Sequence, residues 1–434
     1  MFACGGWFRG GRVWVLGLAA VLLCPRAEYA YSVQTHEQLI DLTWKPSIVP
    51  LLMSRFPNLT PAQLNEAHGY AYGGSAIQDL GYYPFGNEFF SDLLHYVRTG
   101  DFIRSLLRNA KTPDELAFAI GALSHYVGDT TGHAQATNVA VGMEFPKLAA
   151  KYGRSVTYDE NPHAHVQVEF AFDVNEISKH RFAPSAYLAK AGLGVSMDLL
   201  GRAFFETYGL RLKDEIGSGK RPRMKAYNFG VRRFLPRIAY AETVLHRHSM
   251  PDDVQDEEYW KLENALAAVS MDDKWDLYRK HAGIGTYSLA GLIFVLPKFG
   301  PLAMLKIKGP SSAGEQDYVK SVNNSVTRMN KVLVELKAGD LATVMNDLPN
   351  RDLDTGLRSA PGTYRRTDLT YAKLLGQITA PDHGIKVPTG LRDDIQGYYA
   401  DAKAPNAAKK DEQTWAKVQT DLVTLKTVPT VAEP

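Results

Sequence analysis

Apolar residues recur roughly every three to four positions over most of the chain, the spacing that places them on one face of an α-helix. Leu116, Ala119, Ile120 and Leu123 form one such stripe, and Val166, Phe170 and Val174 form another. Each follows a helix-start signal. Thr112-Pro113-Asp114-Glu115 precedes the first, Asn161-Pro162 precedes the second, and Thr60-Pro61-Ala62-Gln63 opens a third helix. In each, a short polar side chain can accept a hydrogen bond from a free N–H of the first turn, and Pro sits where no donor is needed. Ser196 to Tyr208, Tyr259 to Val269 and Val319 to Leu336 read as further helices. Alternating β-type runs with hairpin turns are absent from the sequence. The pattern therefore predicts an all-α, multi-helix domain, followed by a loop-rich, partly helical C-terminal extension from about Leu348.

Three stretches depart from this pattern. Val13 to Cys24 is an apolar run behind Arg9 and Arg12, too short to span a bilayer and right for the centre of a signal peptide. Pro25 ends it, and a cut after Ala30 is expected, so residues 1–30 read as a signal segment and the protein as exported (secreted, periplasmic or held in the cell envelope). Arg211 to Arg223 is polar, basic and glycine-containing, a surface loop by composition. Residues 289–305 are apolar but carry Pro297, Lys298, Gly300 and Pro301, which makes a poor transmembrane helix. Core packing is the reading preferred for that stretch, with contact to a membrane surface as the alternative. The expected division is a main helical domain over 31–290 and a C-terminal region over 291–434 that could be continuous with it.

Composition narrows the function. A chain of 434 residues, 45% hydrophobic, can bury a substantial core, which excludes a disulfide miniprotein or a disordered tail. There are 49 basic and 47 acidic residues, and the signal segment removed, 46 of each remain. Such a balance argues against a protein held on nucleic acid by charge alone. Both cysteines, Cys4 and Cys24, lie in the signal segment, so the mature chain offers no disulfide, no thiolate nucleophile and no Cys-ligated metal site. No Gly-rich phosphate loop, dinucleotide fingerprint or Gly-x-Ser-x-Gly elbow is present.

The histidines carry more. Six of the twelve fall between His95 and His180. Three have an acid four residues on: His125/Asp129, His165/Glu169 and His248/Asp252. On a helix that spacing puts both side chains on one face, close enough to share a metal ion. Each pair alone could equally be a helix-end histidine or a solvated ion pair. His125, Asp129 and His133 extend the line through a third position, at the end of a well-capped apolar helix.

Taken in order, these residues resemble the zinc-dependent phospholipase C family, which is related in fold to the fungal single-strand zinc nucleases. The series runs from Tyr31-Ser32-Val33-Gln34-Thr35-His36 through Asp79 in Ser-Ala-Ile-Gln-Asp-Leu and His95 in Asp-Leu-Leu-His-Tyr. It continues with His125-Tyr-Val-Gly-Asp129, His133 and His165-x3-Glu169. The resemblance implies up to three zinc ions in one cleft. Asp79, His95, His125 and Asp129 would hold one, and His133, His165 and Glu169 a second. His36, a bridging Asp129 and the amine and carbonyl of a mature chain beginning at Tyr31 would hold the third. Tyr31 stands where the family usually has Trp, and the interval from Asp129 to His133 is shorter than in the phospholipases.

The implied activity is hydrolysis of a phosphate ester, most simply a phospholipase C-like phosphodiesterase acting on phospholipid, with Asp79 also serving as general base. A nuclease or phosphatase of the same fold, or a non-catalytic zinc- or lipid-binding protein, are the alternatives. Tyr82, Tyr83, Phe85, Phe89 and Phe90 lie between Asp79 and His95; such rings could hold a choline headgroup or stack bases, and Phe89 and Phe90 are read as core. His163 is a spare candidate ligand without an acid at i+4. His68, His180, His246, His248, His281 and His383 are read as packing or surface residues.

Overall fold

The computed structural model describes residues 33–83, 86–216, 230–246, 248–297, 306–307, 309–339, 341–381, 384 and 386–432. Residues 1–30, read from the sequence as a signal segment, and Tyr31, Phe85, His383 and residues 298–305 lie outside them. The protein is all-α. Its longer helices are α1 (Val33–Thr43), α2 (Pro61–Ser75), α3 (Glu88–Tyr96), α4 (Thr99–Asn109), α5 (Pro113–Gly132), α6 (Pro162–Ser178), α7 (Met197–Tyr208), α8 (Leu235–His246), α9 (Glu257–Asp272), α10 (Ile284–Val295), α11 (Ser312–Ala338), α12 (Arg365–Ile378), α13 (Thr389–Tyr398) and α14 (Glu412–Leu425). The described strands are two residues each, Val387–Pro388 beside Thr430–Val431.

The start signals act much as the sequence predicts. Thr60 and Gln63 form a reciprocal capping box on α2, and Asn161 Oδ1 accepts from Ala164 N at 2.9 Å on α6. Such caps stabilise a helix by about 1 kcal/mol each. At α5 only half of the box forms: Thr112 accepts from Glu115 N, but the Glu115 carboxylate takes Lys111 N at 2.8 Å rather than the cap residue's own N–H. His248 and Asp252 share no helix, because the chain turns after His246, with Ser249 N donating to His246 O at 2.8 Å. One expectation fails. The stretch read as a loop from Arg211 begins with a helical turn, Leu212–Glu215, anchored by buried Leu212 and Ile216.

The core forms around α5, whose Phe118, Ile120, Leu123 and Tyr126 are fully buried. Burying a side chain of that size contributes roughly 1.5–3 kcal/mol. The same core includes Met329, Leu333 and Leu336 of α11 and Leu374 and Leu375 of α12, so it crosses the 290/291 boundary. A buried ion cluster ties the two regions again: Arg181 Nη1 lies 2.8 Å from Glu315 Oε1 of α11 and 3.1 Å from Glu176 Oε1 of α6. Two glycines set how closely α2 and α5 approach. A Cβ on Gly74 would sit 2.0 Å from Phe118 O, and one on Gly121 would sit 2.1 Å from Ala71 O. The backbones therefore touch, and Ser75 O reaches His125 Nδ1 at 2.9 Å. No described helix is long and apolar enough to cross a membrane.

Candidate metal centre

The C-terminal half of α5 presents His125 and Asp129 on one face and delivers His133 at the first residue of a π-helical turn, His133–Thr137. Around this line the fold gathers the other predicted residues. His36 comes from α1, whose close approach needs Gly128: a Cβ there would meet the His36 ring at 3.1–3.3 Å. The His36 and His125 rings stack at 4.0 Å. Asp79 lies in a 3-10 turn after α2, held by the neighbouring Gln78 Nε2 donating to Ala122 O at 2.8 Å. His95 ends α3, and His165 and Glu169 lie one turn apart on α6. All eight are at most 2% exposed.

They form three donor groups. His36, His125 and Asp129 make one, Asp79, His95 and His125 a second, and His133, His165 and Glu169 a third, each with its ligand atoms within 4.8 Å of one another. Asp129 faces two ways: Oδ1 is 3.2 Å from His36 Nε2, while Oδ2 is 3.0 Å from His125 Nε2 and 3.7 Å from His95 Nε2. Asp79 Oδ1 is 3.4 Å from His95 Nε2 and 3.8 Å from His125 Nε2. Glu169 Oε1 is 2.8 Å from His165 Nε2 and 3.2 Å from His133 Nε2. The outer nitrogens of two rings are engaged by carbonyls, His95 Nδ1 by Ser91 O at 2.8 Å and His125 Nδ1 by Ser75 O at 2.9 Å. Those contacts leave Nε2 of each ring aimed inward, the arrangement seen when imidazole binds a metal.

The electrostatics point the same way. Both oxygens of Asp79, Asp129 and Glu169, and both ring nitrogens of His165, are buried without an aligned hydrogen-bond partner. Buried polar atoms are normally satisfied, and leaving one unpaired costs about 1–3 kcal/mol. Burial pushes Glu169 up to about 8 despite His133 beside it. Burial pushes His165 down to about 4. Burial opposes ionisation of Asp129, yet His125 and His36 hold it well below the usual carboxylate range. For His95 burial pulls down, and Asp79 and Asp129 overcome it to lift the ring to about 9. Protons alone thus leave these groups in conflict, whereas divalent cations would satisfy ionised carboxylates and neutral imidazoles together. The nitrogen and oxygen donor set fits zinc.

Residues 35–217 match the family model for zinc dependent phospholipase C. Over that segment the chain is similar to the zinc-dependent phospholipase C family. All eight buried side chains of the three groups fall inside the matched segment. No curated protein and no solved structure matches the chain.

The matched segment has a neighbour that sequence reasoning missed. Asp354, outside the matched segment, places Oδ1 3.8 Å from His133 Nδ1. Its other oxygen accepts from Tyr364 Oη at 2.5 Å and Tyr96 Oη at 3.0 Å. The turn carrying it is fixed by Leu353 N donating to His95 O at 2.9 Å and by Gly356, whose φ is +70°. A Cβ on Gly356 would strike Thr130 O at 2.4 Å. The only sequence signal was the turn pattern Asp352-Leu-Asp-Thr-Gly356. Of the aromatics, Phe89 and Phe90 are core as expected, and Tyr82 and Tyr83 are buried too, with the Tyr82 ring 5.2 Å from that of His95. His68 packs inside, stacked on Trp44 at 4.1 Å and with Nε2 3.4 Å from Asp41 Oδ1. His163 is exposed. Tyr31 lies outside the described residues.

Proposed function

We propose that the protein is an exported zinc-dependent phosphodiester hydrolase that cleaves phospholipids in the manner of a phospholipase C. The observation that carries this reading is the set of three buried donor groups, two of them sharing His125, inside the segment that matches the zinc dependent phospholipase C family model. Asp79, His95, His125 and Asp129 would hold one ion, and His133, His165 and Glu169 a second. His36, Asp129 and the amine and carbonyl of Tyr31 would hold a third. Zinc at these positions supplies Lewis acidity toward phosphate oxygens and acidifies water.

The chain's own residues do the rest. The Asp79 carboxylate, buried and without an aligned donor, accepts the proton of the attacking water. The bond from phosphorus to the glycerol oxygen breaks as the bond to the water oxygen forms, and the proton passes to the departing alkoxide. The products are a diacylglycerol and a phosphorylated headgroup. Purified protein incubated with phosphatidylcholine vesicles should release phosphocholine, in proportion to its zinc content. Release of nucleotides from single-stranded DNA, or of inorganic phosphate from a monoester, in the absence of phosphocholine would replace the lipid by those substrates.

Two substitutions probe individual roles. Asp79→Asn should lower kcat by about 10²–10⁴-fold, the range for loss of a general base. Activity within about threefold of wild type would remove Asp79 from that role. His165→Ala should remove bound zinc, because Nε2 lies 2.8 Å from Glu169 in a buried group. His163→Ala, two residues away and exposed, should leave zinc content unchanged. Equal losses from both would show that the ligand on α6 is misassigned.

A further inference from the structure

Helix α10 has the sequence Ile-Gly-Thr-Tyr-Ser-Leu-Ala-Gly-Leu-Ile-Phe-Val, without one charged residue. One side packs inward: Leu289, Ala290 and Ile293 join Phe170 and Val174 of α6 and Ile238 of α8. The sequence expectation of core packing therefore holds for that side only. On the other side Ile284, Phe294 and Val295 are 86%, 71% and 72% exposed, with Tyr287 and Leu292 also open to solvent. Exposed large apolar side chains so concentrated on one short helix mark a contact surface. At 1.5 Å per residue the helix is about 18 Å long, short of the ~30 Å apolar thickness of a bilayer. It can lie in a membrane surface but not cross it.

The N-terminal end of α10 closes a cavity of about 490 Å³. It is lined by the cations Arg237, Arg279 and Lys280 together with His180 and His281, and no carboxylate is among the described lining residues. Asp276 Oδ1 is 3.6 Å from Arg279 Nε, and its side chain is almost wholly in water. Arg279 Nη2 also donates to His180 O at 2.8 Å, and Tyr240 Oη donates to Lys280 O at 3.0 Å, so the basic rim is built onto the fold. Ile177 and Gln34 line the same cavity. Ile177 is eight residues beyond Glu169 on α6, about 12 Å along the helix, Gln34 is two residues before His36, and none of the eight buried donors lines the cavity.

We propose that α10 and this cavity form an interfacial site for anionic phospholipid, in which the exposed face of α10 enters the acyl layer while the cavity takes a lipid phosphate. An apolar helix face bordered by cations is complementary to a negatively charged bilayer surface, where apolar burial and charge attraction act together. The site shares α1 and α6 with the donor groups and would bring lipid to them. It concerns where the protein sits, whereas the hydrolase reading concerns what it cleaves, and either can fail alone.

The test is sedimentation of the full, zinc-loaded chain with vesicles of phosphatidylcholine, or of equal parts phosphatidylcholine and phosphatidylglycerol, read before any phosphate is released. Binding should favour the anionic vesicles and weaken with salt. Arg237→Gln and Lys280→Gln should each reduce anionic-vesicle binding about fivefold and leave binding to neutral vesicles unchanged. The pair Phe294→Ser and Val295→Ser should reduce binding to both vesicle types by about tenfold or more. All variants should keep the wild-type melting temperature and full activity on a soluble short-chain phosphodiester. Four results would overturn the proposal. One is absence of wild-type binding to anionic vesicles. Another is binding that none of the variants alters. The third is a dimer in solution that the double Ser variant dissociates, which would make the face an interface between copies. Cavity binding of soluble glycerol phosphate without vesicle binding would likewise exclude a lipid surface.

Discussion

Asp129→Asn should cost the protein more zinc than the loss of any side chain serving a single ion. The two oxygens of Asp129 face different partners, Oδ1 toward His36 at 3.2 Å and Oδ2 toward His125 at 3.0 Å. The substitution keeps the shape of the side chain. It replaces one ligating oxygen by an NH2 group that cannot bind a cation, and it removes the negative charge that both donor groups use. The side chain is fully buried, so the lost charge is not compensated by bulk solvent. Zinc content should fall by roughly two of three ions, against one for His36→Ala, and hydrolysis should fall by at least about 10²-fold. Metal analysis of the purified variants decides the matter. Wild-type zinc in Asp129→Asn would mean that Asp129 orients histidines and bridges nothing.

What could be read from the sequence follows the range of the interactions. His125, Asp129 and His133, and separately His165 and Glu169, were legible because a single helical period fixes each set, and α5 and α6 form from their own caps and stripes. Spacing alone does not suffice: His248 and Asp252 have the same interval, but the backbone turns after His246. That Asp79 and His95 come to His125 depends on α2 and α5 touching at Gly74 and Gly121, a tertiary fact that no local pattern carries. Only the ordered resemblance to a family brought them in. Asp354 was beyond reach altogether. It arrives on a turn docked against α5 through Gly356, from a region whose sequence reads simply as loop. Residues 289–295 illustrate a third limit: a helix apolar on both sides has no moment to read, so periodicity could not separate a buried face from an exposed one.

Removing zinc should lower the melting temperature by roughly 10 °C or more, on the basis of about 4 kcal/mol for each ion present at about a thousand times its Kd. The loss should deepen as pH rises from 6.5 to 9, and the sign can be worked out from the metal-free site. His95, pulled down by burial but lifted further by Asp79 and Asp129, titrates at about 9 in the fold against 6.5 unfolded. Its contribution is complete below 6.5 and is lost as pH climbs to 9. Glu169, raised by burial to about 8 from 4.5, keeps a proton in the fold that the unfolded chain has released, so its contribution also drains away as pH rises through 8. His165, lowered by burial to about 4, works in the opposite direction, but only between 4 and 6.5. Above 6.5 the two losses stand unopposed by it. The zinc-loaded protein behaves differently, because coordination requires neutral imidazoles and ionised carboxylates, the states that higher pH favours. The gap between loaded and metal-free melting temperatures should therefore widen between pH 6.5 and 9. Calorimetry with and without chelator across that window measures it. A gap that is constant, or a metal-free protein that gains stability with pH there, would show that these buried groups do not share the work of holding a cation.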